Sequence, residues 1–174
     1  LLRDLRVKKL KQIEVRTGET ALAAVGVRYI TQVALLFLPV LVVATIAATN
    51  LEKTAELNTV VSFAERLCFF EISFVWLLPV IMAVTAVVQL LIEITENCFV
   101  GIVGQIVIWI FTTGSTAEVG DYNSCLAIRH MQFGAYDAFS SGLGTLAVNR
   151  TVVVLISILL VFATAAVYRS KTKK

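Results

Sequence analysis

The stretch from Phe69 to Phe111 sets the terms for the whole chain. It reads FFEISFVWLLPVIMAVTAVVQLLIEITENCFVGIVGQIVIWIF. Residues 69–94 form a long apolar run with one proline, Pro79. Thr95, Glu96 and Asn97 make a short polar break. Residues 98–111 are apolar again, with Gln105 the polar exception. Two apolar runs joined by so short a turn predict a helical hairpin. Apolar runs of this length with few charges call for a bilayer around them. A chain of 174 residues is too small to bury such a hairpin by itself.

The balance of residues agrees. Charged side chains make up 16% of the chain, where a soluble domain carries roughly 25%. Mean hydropathy is +0.86. Ten of the 15 Lys and Arg gather at the two ends, six in residues 1–19 and four after Tyr168. No aromatic residues interleave the basic start, so the charge does not point to nucleic acid. Cys68, Cys98 and Cys125 lie far apart and form no metal-binding spacing; they read as buried thiols. The first residue is Leu, so the chain is expected to be truncated at its front.

Residues 1–26 form a basic region. Leu2, Leu5, Leu10 and Ile13 fall on one side of a helix, with Arg6 and Lys9 intruding on it. Such a helix either lies on anionic lipid or docks on a partner. Thr17-Gly18-Glu19 breaks it, and Thr20 is placed to cap the next helix. The first membrane helix is expected over residues 27–48, about 33 Å at ~1.5 Å per residue. Arg28 and Tyr29 belong at a membrane interface. Gln32 lies one turn deeper, and Pro39 sits near the middle.

Residues 49–68 read as a polar extracytoplasmic linker. Residues 69–94 would span about 39 Å as a helix, so this span must tilt, kink at Pro79 or project. Glu71 and Glu93 stand near its ends as interfacial anchors, with Gln89 deeper. The turn 95–97 leads to a short third segment, residues 98–113. Gly134, Gly142 and Gly144 are expected to cut residues 114–150 into short helices that dip back into the membrane, because a span that ends early must leave its carbonyls in protein or a wet cavity. Residues 151–168 form the last span, and residues 169–174 a basic tail. The expected fold is thus all-α: a helical membrane bundle of four segments, with a short third segment and re-entrant extracytoplasmic helices.

Charge counting orients it. Residues 1–19 hold six Lys and Arg and the tail holds four, against two in the first linker and two in residues 114–150. Both termini are therefore expected in the cytoplasm, the chain being multi-pass in a bacterial cell membrane. There is no P-loop, HExxH, GxSxG or paired CxxC. His130 beside Arg129 reads as a surface pair. The residues themselves suggest no catalytic set and no energy-converting site.

Three stretches carry a resemblance. WLLPVIMAVTAVVQLLIEITENCFVGIVGQIVIWIF resembles the fourth and fifth membrane helices of ABC-2 type transporter permeases. AVNRTVVVLISILLVFATAAVYRSK is similar to their last helix, with Asn149-Arg150 at its start. Ile128-Arg129-His130 resembles an element of small bacterial permeases, with Met131 where Asn is usual. The resemblance implies that two further membrane helices precede this chain. It makes the basic start the coupling region that docks on an ATPase, through Asp4, Arg6, Lys9, Leu10, Ile13 and Arg16. Thr17 stands where the family often has Pro.

It also implies a translocation path including Gln32, Gln89 and Gln105, for which packing within the bundle is the competing role. An extracytoplasmic gate would include Tyr136, Phe139, Asn149 and Arg150. The working unit would hold two permease subunits, identical or homologous, and two ATPase subunits. ATP and Mg would bind the ATPases, with no cofactor in this chain and membrane lipid around it. The implied activity is export of an amphipathic peptide or lipid-like compound. The alternative is a non-transporting four-helix scaffold or channel subunit with a basic helix for a partner or lipid.

Overall fold

The structure, a computed structural model, describes residues 20–54, 67, 70–71, 73–114 and 136–172. Among them are four long helices and no strand. Helix α1 is Ala21–Thr54, α2 is Leu78–Thr95, α3 is Cys98–Gly114 and α4 is Tyr136–Thr172. A π-helical turn, Ser73–Leu77, leads into α2. Within the described residues, Ala21–Asn50, Ser73–Thr95 and Ala147–Lys171 are long and apolar enough to cross a membrane, and Cys98–Ile108 is a shorter apolar helix.

Local chemistry accounts for the boundaries. The Thr20 hydroxyl accepts the Ala23 backbone N–H at 3.3 Å, satisfying a donor that the first turn of α1 would leave bare. Pro79 has no N–H to give, and it falls at the first turn of α2, where none is needed. The hairpin between α2 and α3 is tighter than the sequence suggests, since Thr95 is still helical. Glu96 takes a left-handed conformation (φ 56°) and returns its N–H to the Ile92 carbonyl at 2.8 Å. Asn97 then caps α3 by accepting the Phe99 N–H at 2.9 Å.

Helix α2 is the centre of the bundle and packs on α1, α3 and α4. Side-chain bonds fix the directions. The Tyr29 hydroxyl donates to the Met82 carbonyl at 3.0 Å, and the Gln89 amide donates to the Val25 carbonyl at 3.3 Å. Residue numbers thus rise along α1 as they fall along α2, so the two are antiparallel. Lys171, near the end of α4, donates to the Glu93 and Ile94 carbonyls at 2.6 and 3.0 Å and to Glu96 Oε1 at 3.1 Å. Helices α2 and α4 therefore run parallel and finish together. A cation over the bare carbonyls of a helix end contributes about 0.3–1 kcal/mol.

The core is a seam of small and branched residues. Val25, Tyr29, Ala86, Val161, Ala165 and Tyr168 meet in one cluster. The buried face of α4 recurs at three- and four-residue steps through Arg150, Val153, Ser157, Val161, Thr164 and Tyr168. Ser157 and Thr164 are buried at no polar cost, because each hydroxyl returns to the carbonyl four residues back, at 2.7 and 2.8 Å. The opposite faces present Leu155, Leu159 and Phe162 on α4 and Phe99, Ile102 and Ile106 on α3.

Two helices run beyond the expected spans. Helix α1 begins at Ala21 and ends at Thr54, well outside residues 27–48, and at 34 residues it is about 51 Å long. The last helix begins at Tyr136, not Thr151, and passes through Gly142 and Gly144 without a break. A glycine costs a helix interior only about 1 kcal/mol, which a helix of this length absorbs. Residues 136–150 are therefore an extension of α4, not separate short pieces. Residues 1–19 of the expected coupling region, most of the first linker and residues 115–135 lie outside the described residues, and residues 20–26 are the cap and start of α1.

Helix α3 approaches α2 through glycines. A methyl group at Gly101 would stand 2.6 Å from Ile92 Cγ1, and one at Gly104 would stand 2.5 Å from Leu91 Cδ1. The Leu91 methyl ends a flexible side chain and can swing aside, whereas Ile92 is stiff at its branched Cβ. Gly101→Leu is therefore expected to cost about 1–3 kcal/mol by overpacking, and Gly104→Ala less than about 1. Reversible denaturation in mixed micelles measures both.

Candidate functional site: a polar cavity between α1 and the α2–α3 hairpin

Helices α1 and α3 lie on different flanks of α2 and barely touch each other. A cavity of about 420 Å³, open on one side, lies between them. Helix α1 supplies Arg28, Gln32, Leu35 and Leu36. Helix α2 supplies Val84, Thr85, Val88, Gln89, Ile92 and Glu93. Helix α3 supplies Gln105. The three glutamines that the sequence singles out, Gln32, Gln89 and Gln105, thus reach one cavity from three helices.

Helical spacing is the reason. Thr85, Gln89 and Glu93 stand four residues apart and form one stripe along α2. Arg28 and Gln32 repeat that spacing on α1. Hydrophobic side chains at the intervening positions make most of the wall, so a few polar groups are set in an apolar surface.

Not all of these groups are satisfied. The Gln89 amide nitrogen is committed to the Val25 carbonyl, which fixes the orientation of the side chain. Its oxygen is buried with no hydrogen-bond partner among the described residues, as is the Thr85 hydroxyl. A buried polar group left without a partner costs about 1–3 kcal/mol. Two such atoms stand four residues apart on the same stripe, and buried side-chain atoms without a hydrogen-bond partner among the described residues recur at the other end of the bundle, at Asn149 Oδ1 and at Arg150 Nε and Nη2.

The cavity lies toward one end of the bundle. The Arg28 guanidinium stands 5.5 Å from the centre of the Tyr168 ring, near the end of α4. Glu93, expected from its place in the sequence to be an interfacial anchor, is instead 7% exposed and lines the cavity wall beneath the Lys171 clamp. From Arg28 to Leu36 the lining climbs about 12 Å by helical rise.

At the other end, the Arg150 guanidinium stands 5.5 Å from the centre of the Trp76 ring. Tyr168 and Arg150 are separated by about 27 Å along α4. Of the proposed gate residues, Arg150 is buried and Asn149 half-buried. Tyr136 and Phe139 lie on the same helix, about 21 and 16 Å further along by helical rise. Their side chains lie outside the described residues. The four are thus strung along a helix and are not gathered at one point. Asp4, Arg6, Lys9, Leu10, Ile13 and Arg16 all lie outside the described residues.

Thr85, Arg28 and Glu93 are cavity residues that the sequence pattern did not assign to the path. A signal for them exists in the four-residue spacing from Gln89 and Gln32. Among the described residues no group of three His, Cys, Asp or Glu side chains converges as a metal site would require. Comparison with known family models, with curated proteins and with solved structures found no match.

If Gln89 serves the cavity more than the fold, its removal should be nearly free. Gln89→Leu loses one long hydrogen bond but also removes a buried oxygen without a partner. Its stability is expected to stay within about 1 kcal/mol of the parent. A loss beyond about 2 kcal/mol in micelle denaturation would instead make this amide a structural bond.

Proposed function

We propose that this chain is the membrane-embedded part of a transporter permease, in which the cavity between α1 and the α2–α3 hairpin belongs to the substrate route. The observation that carries this reading is the convergence of Gln32, Gln89 and Gln105 from three helices on one cavity. Amides are costly in lipid, and in a bundle they are kept where they bind one another, water or a passing ligand.

The membrane placement has its own support. Two cation–ring pairs, Arg28 with Tyr168 and Arg150 with Trp76, stand about 27 Å apart along α4. That is close to the ~30 Å of a hydrocarbon core, and such residues are the ordinary anchors at its edges. In this reading the Arg28 end, from which the basic segments extend, faces the cytoplasm of a bacterial cell.

Energy comes from a separate ATPase dimer that binds ATP and Mg, as the resemblance to ABC-2 permeases suggests, and a second permease subunit completes the route. The cargo is an amphipathic peptide or lipid-like compound, moved outward. Helix α1 is the lever. It comes directly after the basic segment, from Thr20 onward, and carries Val25, Arg28, Tyr29 and Gln32. A push on its start bears directly on the Gln89–Val25 and Tyr29–Met82 bonds, which hold α1 against α2 beside the cavity. Moving that contact widens or narrows the cavity with no rearrangement of the hairpin.

The test begins with full-length protein from its native membrane in mild detergent. A stoichiometric P-loop subunit is expected to remain bound. Leu10→Asp and Ile13→Asp should then cut transport-coupled ATP turnover by about tenfold, equivalent to about 1.4 kcal/mol of lost coupling, with membrane insertion intact. A chain that copurifies alone, or variants that couple normally, would favour the scaffold or channel reading.

A further inference from the structure

We propose that the cavity binds the uncharged, hydrogen-bond-donating head of an aliphatic amphiphile, a carboxamide or a hydroxyl. This deepens the permease reading and rests on it only in taking the bound amphiphile as cargo; binding itself is a property of this chain.

The chemistry of the wall selects the head. The deeper lining offers Thr85, Gln89, Gln32 and Gln105, all polar and none charged. A charged head drawn to that depth would leave water without a counter-ion beside it. The charges in the lining, Arg28 and Glu93, are opposite in sign, so the cavity has no net preference for an anion or a cation. The partnering is uneven as well. The Gln89 nitrogen is taken by the Val25 carbonyl, while its oxygen remains open. The Thr85 hydroxyl, on a residue 6% exposed, is also open among the described residues. The Gln89 oxygen can only accept and so calls for a donor, while the Thr85 hydroxyl can accept from the same head or donate to it. A carboxamide N–H or an alcohol O–H supplies that donor, and neither is charged.

The walls select the body. Leu35, Leu36, Val84, Val88 and Ile92 make most of the lining, which suits an alkyl chain. The volume of about 420 Å³ lies within the roughly 300–1,000 Å³ usual for small-ligand sites. One open side lets a tail remain in the membrane while the head enters. Water is the competing occupant, since a polar cavity of this size can hold it.

The experiment uses the full chain in lipid nanodiscs, without ATP or partner, so that a failure of binding is distinct from a failure of transport. The probe is an aliphatic carboxamide with a photoreactive diazirine near its head, compared with the matching alcohol, carboxylate and ammonium compounds. Labelled residues are mapped by mass spectrometry. The carboxamide is expected to label residues 32–36 and 84–92 about tenfold more than either charged compound, a difference of about 1.4 kcal/mol. Excess unlabelled carboxamide should suppress that labelling in the parent protein. Thr85→Val with Gln89→Leu should reduce it about tenfold, while Thr85→Ser retains it. Equal labelling by the alcohol supports the same donor chemistry. Labelling spread evenly over Leu155, Leu159 and Phe162, no competition, or stronger labelling by a charged compound would overturn the proposal.

Discussion

A polar group inside an apolar bundle has to find its partner within the protein, and that requirement organises this structure. Two side-chain hydrogen bonds join α1 to α2, each to a backbone carbonyl: Tyr29 to Met82, and Gln89 to Val25. The carbonyls at the end of α2 are covered by a single ammonium from α4, that of Lys171. Each such bond is modest in a membrane, on the order of 0.6 kcal/mol where interhelical bonds have been measured. Their value lies in register. They set α1 antiparallel to α2 and bring α2 and α4 to a common end. Close packing at Ala83, Ala86 and Ala165, and at Gly101 on the far flank, does the rest.

The same requirement gives the cavity its meaning. Ser157 and Thr164 are buried and satisfied, each by the carbonyl four residues back on its own helix. The Thr85 hydroxyl and the Gln89 amide oxygen are buried without that relief. Both kinds of residue belong to the same bundle; Thr85 and Gln89 lie on the wall of the cavity, and buried side-chain atoms without a hydrogen-bond partner among the described residues recur away from it, at Asn149 Oδ1 and at Arg150 Nε and Nη2.

Much of the architecture is legible in the sequence, because apolar run length is a direct physical constraint. The hairpin follows from the length of the apolar runs and the Thr20 cap from its position before the next helix, whereas three amides on three different helices share a cavity only through the way those helices pack. The extent of the helices is less legible. Gly142 and Gly144 look like breaks in isolation, but a helix already anchored by the Arg150–Tyr168 seam carries on through them. Glu93 resembles an anchor by its distance from the end of the apolar run, yet its four-residue spacing from Gln89, and that of Gln89 from Thr85, is the better guide to where it lies. The burial of Thr85 depends on how α1 and α3 flank α2, which no local pattern in α2 encodes.

The most direct measurement of the central claim is solvent reach into the cavity from a membrane-embedded chain. Single cysteines placed at positions 32, 89 and 105, and at 155 and 159 on the outer face of α4, would be introduced into a cysteine-free background and reconstituted in vesicles. Their reaction with a charged, water-soluble maleimide is then followed. The three cavity positions are expected to react at least about tenfold faster than the two outer ones, since polar bundle cavities take up water and lipid-facing surfaces do not. Equal reactivity at all five positions would contradict the membrane placement. Silence at the three cavity positions would contradict the cavity.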